Sequence, residues 1–142
     1  MKDKPDAIKT LIVVEDDADD QYFLQTAFQQ TGFEQHVLYI DSAKQLFEYL
    51  ETEGTQSGYP SVILVDYNMP VMNGEETLIK IKENKEYAGI RVLIYSTTIS
   101  DTQVKTLKDL GAEDCYIKSY STSEIVDFAK SLQQKITMQI FH

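Results

Sequence analysis

Glu15, Asp16, Asp17, Asp19 and Asp20 put five carboxylates into six residues, directly after the apolar run Leu11-Ile12-Val13-Val14. A second apolar run, Val62-Ile63-Leu64-Val65, also ends in a carboxylate, Asp66. Val92-Leu93-Ile94-Tyr95 ends in the hydroxyls Ser96 and Thr97, and Cys115-Tyr116-Ile117 ends in Lys118. Carboxylates gathered ~5 Å apart repel by about 3 kcal/mol per pair at an effective dielectric near 20. Such a group calls for a cation, or for a raised pKa that neutralises one member. Ligands that are all oxygen suit a hard ion, and an open site with two or three of them suits Mg²⁺ better than a full Ca²⁺ cage. A lysine and a hydroxyl beside the ion would hold an anion, phosphoryl oxygens above all. The nucleophile would then be a carboxylate, because no His, Cys or phosphate loop is placed for the task.

These residues meet only if the elements bring them to one place. The four apolar runs, with Val37-Leu38-Tyr39-Ile40 as a fifth, read as short buried strands. Helical stripes fill the gaps: Phe23, Leu24, Ala27 and Phe28; Ala43, Leu46, Phe47 and Leu50; Leu78 and Ile81; Val104, Leu107 and Leu110; Ile125, Phe128, Ala129 and Leu132. Ser100-x-x-Gln103 and Ser121-x-x-Glu124 fit capping boxes, Ser42 fits an N-cap, and Gly111 marks the fourth helix's end. Gly54-Thr55-Gln56-Ser57-Gly58-Tyr59-Pro60 reads as the loop before the third strand. Five strand–helix alternations predict an α/β domain, doubly wound, with a five-stranded parallel sheet and five helices on two faces. In such sheets ligands bind outside the carboxyl ends of the strands. Glu15, Asp16, Asp17, Asp66, Ser96, Thr97 and Lys118 all fall there.

Composition narrows the class. The chain has 142 residues, 42% apolar and 25% charged, which fits one ordinary globular domain spanning 1–142. No run reaches the roughly 18–20 apolar residues of a membrane helix, and Met1–Asp6 is polar rather than signal-like. One cysteine, Cys115, precludes an internal disulfide and suits a reducing cytoplasm. A net charge of −10 argues against binding nucleic acid by charge. The first 71 residues carry 13 acids against 4 bases, and five of those acids fall between Glu15 and Asp20.

Val13-Val14-Glu15-Asp16-Asp17, Val65-Asp66-Tyr67-Asn68-Met69-Pro70 with Gly74, Tyr95-Ser96-Thr97 and Ile117-Lys118 together closely resemble the receiver domain of bacterial two-component response regulators. The likeness runs from about Leu11 to Leu132, in the right order and spacing. It implies a flavodoxin-like sheet of order 2-1-3-4-5, with a core of about 9–135 and a C-terminal extension at 136–142. It implies Asp66 as the phosphoacceptor and Mg²⁺ held by Asp16, Asp66 and the backbone carbonyl of Asn68, with Glu15 beside them. Lys118 would bind a phosphoryl oxygen, Ser96 would be the switch hydroxyl, and Thr97 would take the small-residue position next to it. Gly74 would keep a side chain away from the loop after Asp66. The donor would be a sensor histidine kinase or a histidine phosphotransfer protein, or a small acyl phosphate. With no output segment evident, a stand-alone receiver docking on a protein partner is expected, with neither nucleic acid nor membrane as partner.

Two positions depart from the family pattern. Ser119 stands where proline follows the lysine, often after a cis bond, so either a trans bond with a shifted loop or a strained exception is expected. Cys115 replaces the switch aromatic, with Tyr95 or Tyr116 as substitutes. Asp17, Asp19 and Asp20 read as first-turn helix acids rather than ligands, Cys115 as a small buried hydrophobe, and neither His36 nor His142 has a role. Ile136–Phe141 reads as helix continuation, packed tail or dimer contact. Three rivals remain. A Toprim-like Mg²⁺-dependent nuclease or primase module would want Asp where Asn68 stands and a basic surface. A flavodoxin-like electron carrier would want hydroxyls, not acids, after the first strand. A degenerate receiver would bind partners without phosphorylation.

Overall fold

The computed structural model describes residues 10–140. In chain order the elements are β1 (Leu11–Val14), α1 (Ala18–Thr31), a single 3₁₀ turn (Glu34–His36), β2 (Val37–Ile40), α2 (Ala43–Ser57), β3 (Val62–Asp66), α3 (Gly74–Glu83), β4 (Arg91–Ser96), α4 (Asp101–Asp109), β5 (Asp114–Ile117) and α5 (Thr122–Ile140). All strand pairings are parallel, in the order β2-β1-β3-β4-β5. This is the doubly wound, flavodoxin-like arrangement expected.

The strands form where β-branched and aromatic residues run together, and β1 and β3 are buried throughout. Side chains alternate between two cores. Ile12, Val14, Ile63, Val65, Val92 and Ile94 face Leu46, Leu50, Leu78, Ile81 and Leu107 of α2, α3 and α4. Leu11, Val13, Val62, Leu64, Leu93 and Tyr95 face Leu24, Phe28, Ile125, Ala129, Leu132 and Ile136 of α1 and α5. Each fully buried Leu, Ile or Phe contributes about 1.5–3 kcal/mol, so the fold can carry an unfavourable cluster of charge at one edge. Phe23 was expected on the buried stripe of α1, but it is turned outward and meets the ring of Tyr120.

Register delivers the strand ends to one level. Val14 pairs with Val65, which sets Glu15 beside Asp66; Asp66 pairs with Tyr95, and Ser96 with Ile117. The ladder continues one step past the strands, through Glu15 N–H to Ile40 O, Tyr67 N–H to Tyr95 O and Lys118 N–H to Ser96 O. The backbone beside the polar residues is therefore tied to a neighbouring strand at Glu15, Tyr67 and Lys118.

The helix starts are capped by side chains. Asp17 accepts from the Asp19 and Asp20 amides at 2.9 and 3.0 Å, Ser42 caps α2, and Ser100 with Gln103 forms a complete capping box. Asn73 with Glu76 forms another that the sequence reading missed. At Ser121 the box is incomplete: the Glu124 amide reaches Ser121 Oγ only at 3.5 Å, while its carboxylate accepts from Ser119 Oγ instead.

The expected loop at Gly54 is a correction. α2 continues through Gly54 to Ser57 and stops at Gly58, whose φ is 98°. Gly54 is the glycine of a close approach, since a Cβ there would lie 2.7 Å from the ring of Tyr59. α5 runs on to Ile140 with Ile136 packed in the core, and Phe141 and His142 lie outside the described residues. No helix among the described residues is long and apolar enough to cross a membrane.

Candidate functional site

Lys118 organises the carboxyl edge of the sheet. Its ammonium lies 2.9 Å from Glu15 Oε1, 2.9 Å from Asp20 Oδ2 and 3.2 Å from Asp66 Oδ2. An ammonium has three hydrogens to donate, and three carboxylates, from the end of β1, the first turn of α1 and the end of β3, surround it. The lysine side chain is 8% exposed and Glu15 is fully buried. Nζ also stands 4.8 Å from the centre of the Tyr95 ring, a favourable face for a cation. Tyr95 donates its phenol proton to Glu15 Oε1 at 2.6 Å, and the Asp17 amide donates to Glu15 Oε2 at 3.1 Å.

Asp66 has its two oxygens held differently. Oδ2 faces Lys118, and Oδ1 accepts from the Asn68 amide at 3.0 Å. The Asn68 side chain donates to Ser96 Oγ at 3.1 Å, and Ser96 in turn donates to the Thr98 carbonyl at 2.7 Å. Ser96 is buried; Thr97, next to it, is exposed, as are Asp16 and Asn68. The loop after Asp66 closes through Gly74, whose amide reaches Tyr67 O.

A Cβ on Gly74 would sit 2.7 Å from Tyr67 Cα and 2.8 Å from Asp66 O, both backbone atoms. Neither can turn aside as a side chain does. Gly74→Ala is therefore expected to cost about 1–3 kcal/mol and to shift the Asp66 loop, which urea unfolding and the Tyr67 and Asn68 amide resonances would report. An alanine variant with unchanged stability and spectra would show that the approach is looser than this.

The electrostatics follow from burial. Glu15 is pushed up to about 7, first by its removal from water and then by the neighbouring Asp66 carboxylate, against the downward pull of Tyr95 and Lys118. Burial also raises the Tyr95 phenol, as does the Glu15 charge, so it stays a donor. For Lys118 burial alone lowers the ammonium, but its bonds to Asp20 and Glu15 and the charge of Asp66 outweigh it, and the net direction is upward. Glu15, Asp16 and Asp66 can each bring one oxygen within 4.8 Å of the others. With Asp20, four carboxylates share this edge with one ammonium, which meets three of them. That excess of negative charge, in an all-oxygen set open to solvent at Asp16, fits a hard divalent cation.

The expected residues Glu15, Asp16, Asp66, Asn68, Ser96, Thr97 and Lys118 thus gather at one edge. Asp17 is a helix cap, and Asp19 lies in the same first turn. Asp20 differs from its expectation: it is a first-turn acid and also a partner of Lys118. Neither tyrosine bonds to Ser96, for Tyr95 serves Glu15 and Tyr116 accepts from Lys135 at 3.1 Å. Cys115 is only half-buried, packed against the core. Among the described residues no peptide bond is cis, so Lys118–Ser119 is trans.

Comparison with known proteins agrees with this geometry. The response regulator receiver domain model matches residues 11–130. Two-component response regulator ORR5 of Oryza sativa subsp. japonica is 30% identical over 115 residues, 81% of each chain. Response regulator Rcp1 of Synechocystis sp. is 24% identical over 136 residues, 94% of this chain and 92% of Rcp1. The Mn(2+)-bound form of response regulator Rcp1 superimposes with a TM-score of 0.74 at 23% identity, covering 88% of this chain and 91% of the other. The phosphorylated cyanobacterial phytochrome response regulator RcpA superimposes with a TM-score of 0.76 at 28% identity, covering 90% of this chain and 93% of RcpA. The chain belongs to the response regulator receiver domain family of two-component signalling.

Proposed function

We propose that this chain accepts a phosphoryl group from a phosphohistidine donor onto Asp66, in a Mg²⁺-dependent reaction, and signals through its own surface to a protein partner. The observation that carries this reading is Asp66 itself, 3% exposed, with Lys118 on one oxygen and the Asn68 amide on the other. One Asp66 oxygen attacks phosphorus, the new bond is O–P, and the P–N bond breaks with its electron pair returning to the imidazole. Neutralised as an acyl phosphate, Asp66 no longer competes for Lys118, whose freed N–H donates to a phosphoryl oxygen. Ser96 would leave the Thr98 carbonyl and turn its hydroxyl toward the same group, and Thr97 beside it leaves room. Asp16, Asp66 and the Asn68 carbonyl would hold Mg²⁺, with Glu15 adding charge behind them; bound there, the ion supplies positive charge to the phosphoryl oxygens.

The donor on this reading is a sensor histidine kinase or histidine phosphotransfer protein, and a small acyl phosphate can substitute for it. The chain catalyses only its own phosphorylation and dephosphorylation, in the cytoplasm. Loss of the Ser96–Thr98 contact would bias the β4–α4 loop, a population shift that a partner can read.

The test is incubation with acetyl phosphate, with and without Mg²⁺, followed by intact mass measurement of wild type and Asp66→Asn. A single phosphate adduct is expected that requires Mg²⁺, is released by hydroxylamine and is missing in the variant. An adduct that persists in Asp66→Asn would sink the assignment. A folded wild type that takes no phosphate from acetyl phosphate or from a phosphohistidine protein would favour a phosphorylation-independent binding module.

A further inference from the structure

The Tyr95 hydroxyl has no part in the chemistry above, yet it sits at the centre of the site. Tyr95 is 3% exposed, at the end of β4 on the α1–α5 side of the sheet. Its ring stacks on Phe128 of α5, with centroids 6.4 Å apart and planes 15° from parallel. Packing alone would be met by a phenylalanine. A buried hydroxyl is costly unless it is bonded, and this one is aimed at a buried carboxylate oxygen 2.6 Å away, 80 residues distant in sequence.

Glu15 is held at both ends. Oε2 takes the Asp17 amide, and Oε1 takes Tyr95 and Lys118. The two Oε1 donors are not equivalent. Lys118 is shared with Asp20 and Asp66 and must serve a phosphoryl oxygen when one arrives. Tyr95 is fixed by its ring packing on Phe128, and its hydroxyl is given to Glu15. We infer that Tyr95 is a positioning residue for the divalent-cation site: its phenol locks the Glu15 carboxylate in one orientation beside Asp16 and Asp66, independently of where Lys118 points. The ion would meet a carboxylate already turned, and less ordering remains to be done on binding. The proposal rests on the phosphoacceptor reading, since it concerns the ion that reading requires.

Tyr95→Phe removes the hydroxyl and keeps both the ring stack and the aromatic face under Lys118. The probe is Mn²⁺ alone, titrated into the unphosphorylated full chain and read by calorimetry, for wild type, Tyr95→Phe, Glu15→Gln, the double variant and Asp16→Asn. Tyr95→Phe is expected to weaken Mn²⁺ binding about fivefold, and to have no further effect in the Glu15→Gln background. With acetyl phosphate, half-maximal phosphorylation should need about fivefold more Mg²⁺, while the rate at saturating Mg²⁺ stays within about twofold of wild type. A merely structural tyrosine would not produce that split. Wild-type Mn²⁺ affinity in Tyr95→Phe, or an equal loss with Glu15→Gln already present, overturns the proposal. Asp16→Asn separates the two levels. If it abolishes Mn²⁺ binding while Tyr95→Phe leaves it unchanged, only the role of Tyr95 falls. If it leaves binding intact, the cation site itself is wrong, and Tyr95 falls with it.

Discussion

Lys118→Met is expected to lower the stability of the metal-free protein by about 3–5 kcal/mol at pH 8, an unfolding midpoint about 10–17 °C lower for a domain of this size. Methionine matches the length of the lysine stem, so the packing loss is small. What disappears is the one positive charge between Glu15, Asp20 and Asp66, all within 3.2 Å of it. Removing one partner from a buried ion pair leaves the other without compensation, and here three are left. Two escapes exist, and each makes its own prediction. Glu15 can take a proton, so the deficit should shrink at pH 6. A divalent cation can replace the lost charge, so Mg²⁺ should recover part of it. Thermal unfolding at both pH values, with and without Mg²⁺, measures all three effects. A variant as stable as wild type in the metal-free state would mean that the carboxylates relax into water at little cost.

The parts of this molecule that sequence could reveal are those set by local pattern. β-branched runs such as Val62–Val65 marked the strands, and polar residues immediately after them marked the carboxyl edge, because in a parallel sheet the strand end and the site edge coincide. Pattern failed where a long-range neighbour decides. Gly54 looked like the start of a loop because glycine breaks helices on average; only the Tyr59 ring, folded back over α2, shows why a helix needs glycine there. Asp20 looked like one more helix-stabilising acid, and nothing nearby in sequence says that the first turn of α1 faces a lysine 98 positions on. Tyr95 is the sharpest case. Strand alternation puts its ring in the α1–α5 core, which is correct, but alternation describes Cβ directions, and the phenol is long enough to emerge at the edge and reach Glu15. Spacing locates the acids and the lysine. It does not say which acid each donor meets.

In the absence of divalent cations the protein is expected to be more stable at pH 5.5 than at pH 8, by about 2 kcal/mol. The sign follows from Glu15. In the unfolded chain its carboxyl titrates near its ordinary 4.5, whereas in the fold burial and then Asp66 raise it to about 7. Between those values the folded state holds a proton that the unfolded state has released. Its contribution is fully present below about 4.5 and is lost as the pH rises through 7. The carboxylates shifted the other way act in a different window. Glu113 is lowered, chiefly by its bond to Arg91, and Asp114, against the upward push of burial, is lowered by the Cys115 amide, Lys108 and Lys135. Their stabilisation is present above the ordinary carboxylate range and fades only as the pH falls below it, so it does not cancel the slope between 5.5 and 8. Mg²⁺ should reverse the trend, because a cation among Glu15, Asp16 and Asp66 displaces the proton, and its stabilisation grows as proton competition falls. Urea unfolding from pH 5.5 to 8, with chelator or with excess Mg²⁺, gives both slopes, and Glu15→Gln should flatten the metal-free one. A metal-free slope that survives Glu15→Gln would place the titrating group elsewhere, and with it the origin of the site's demand for a cation.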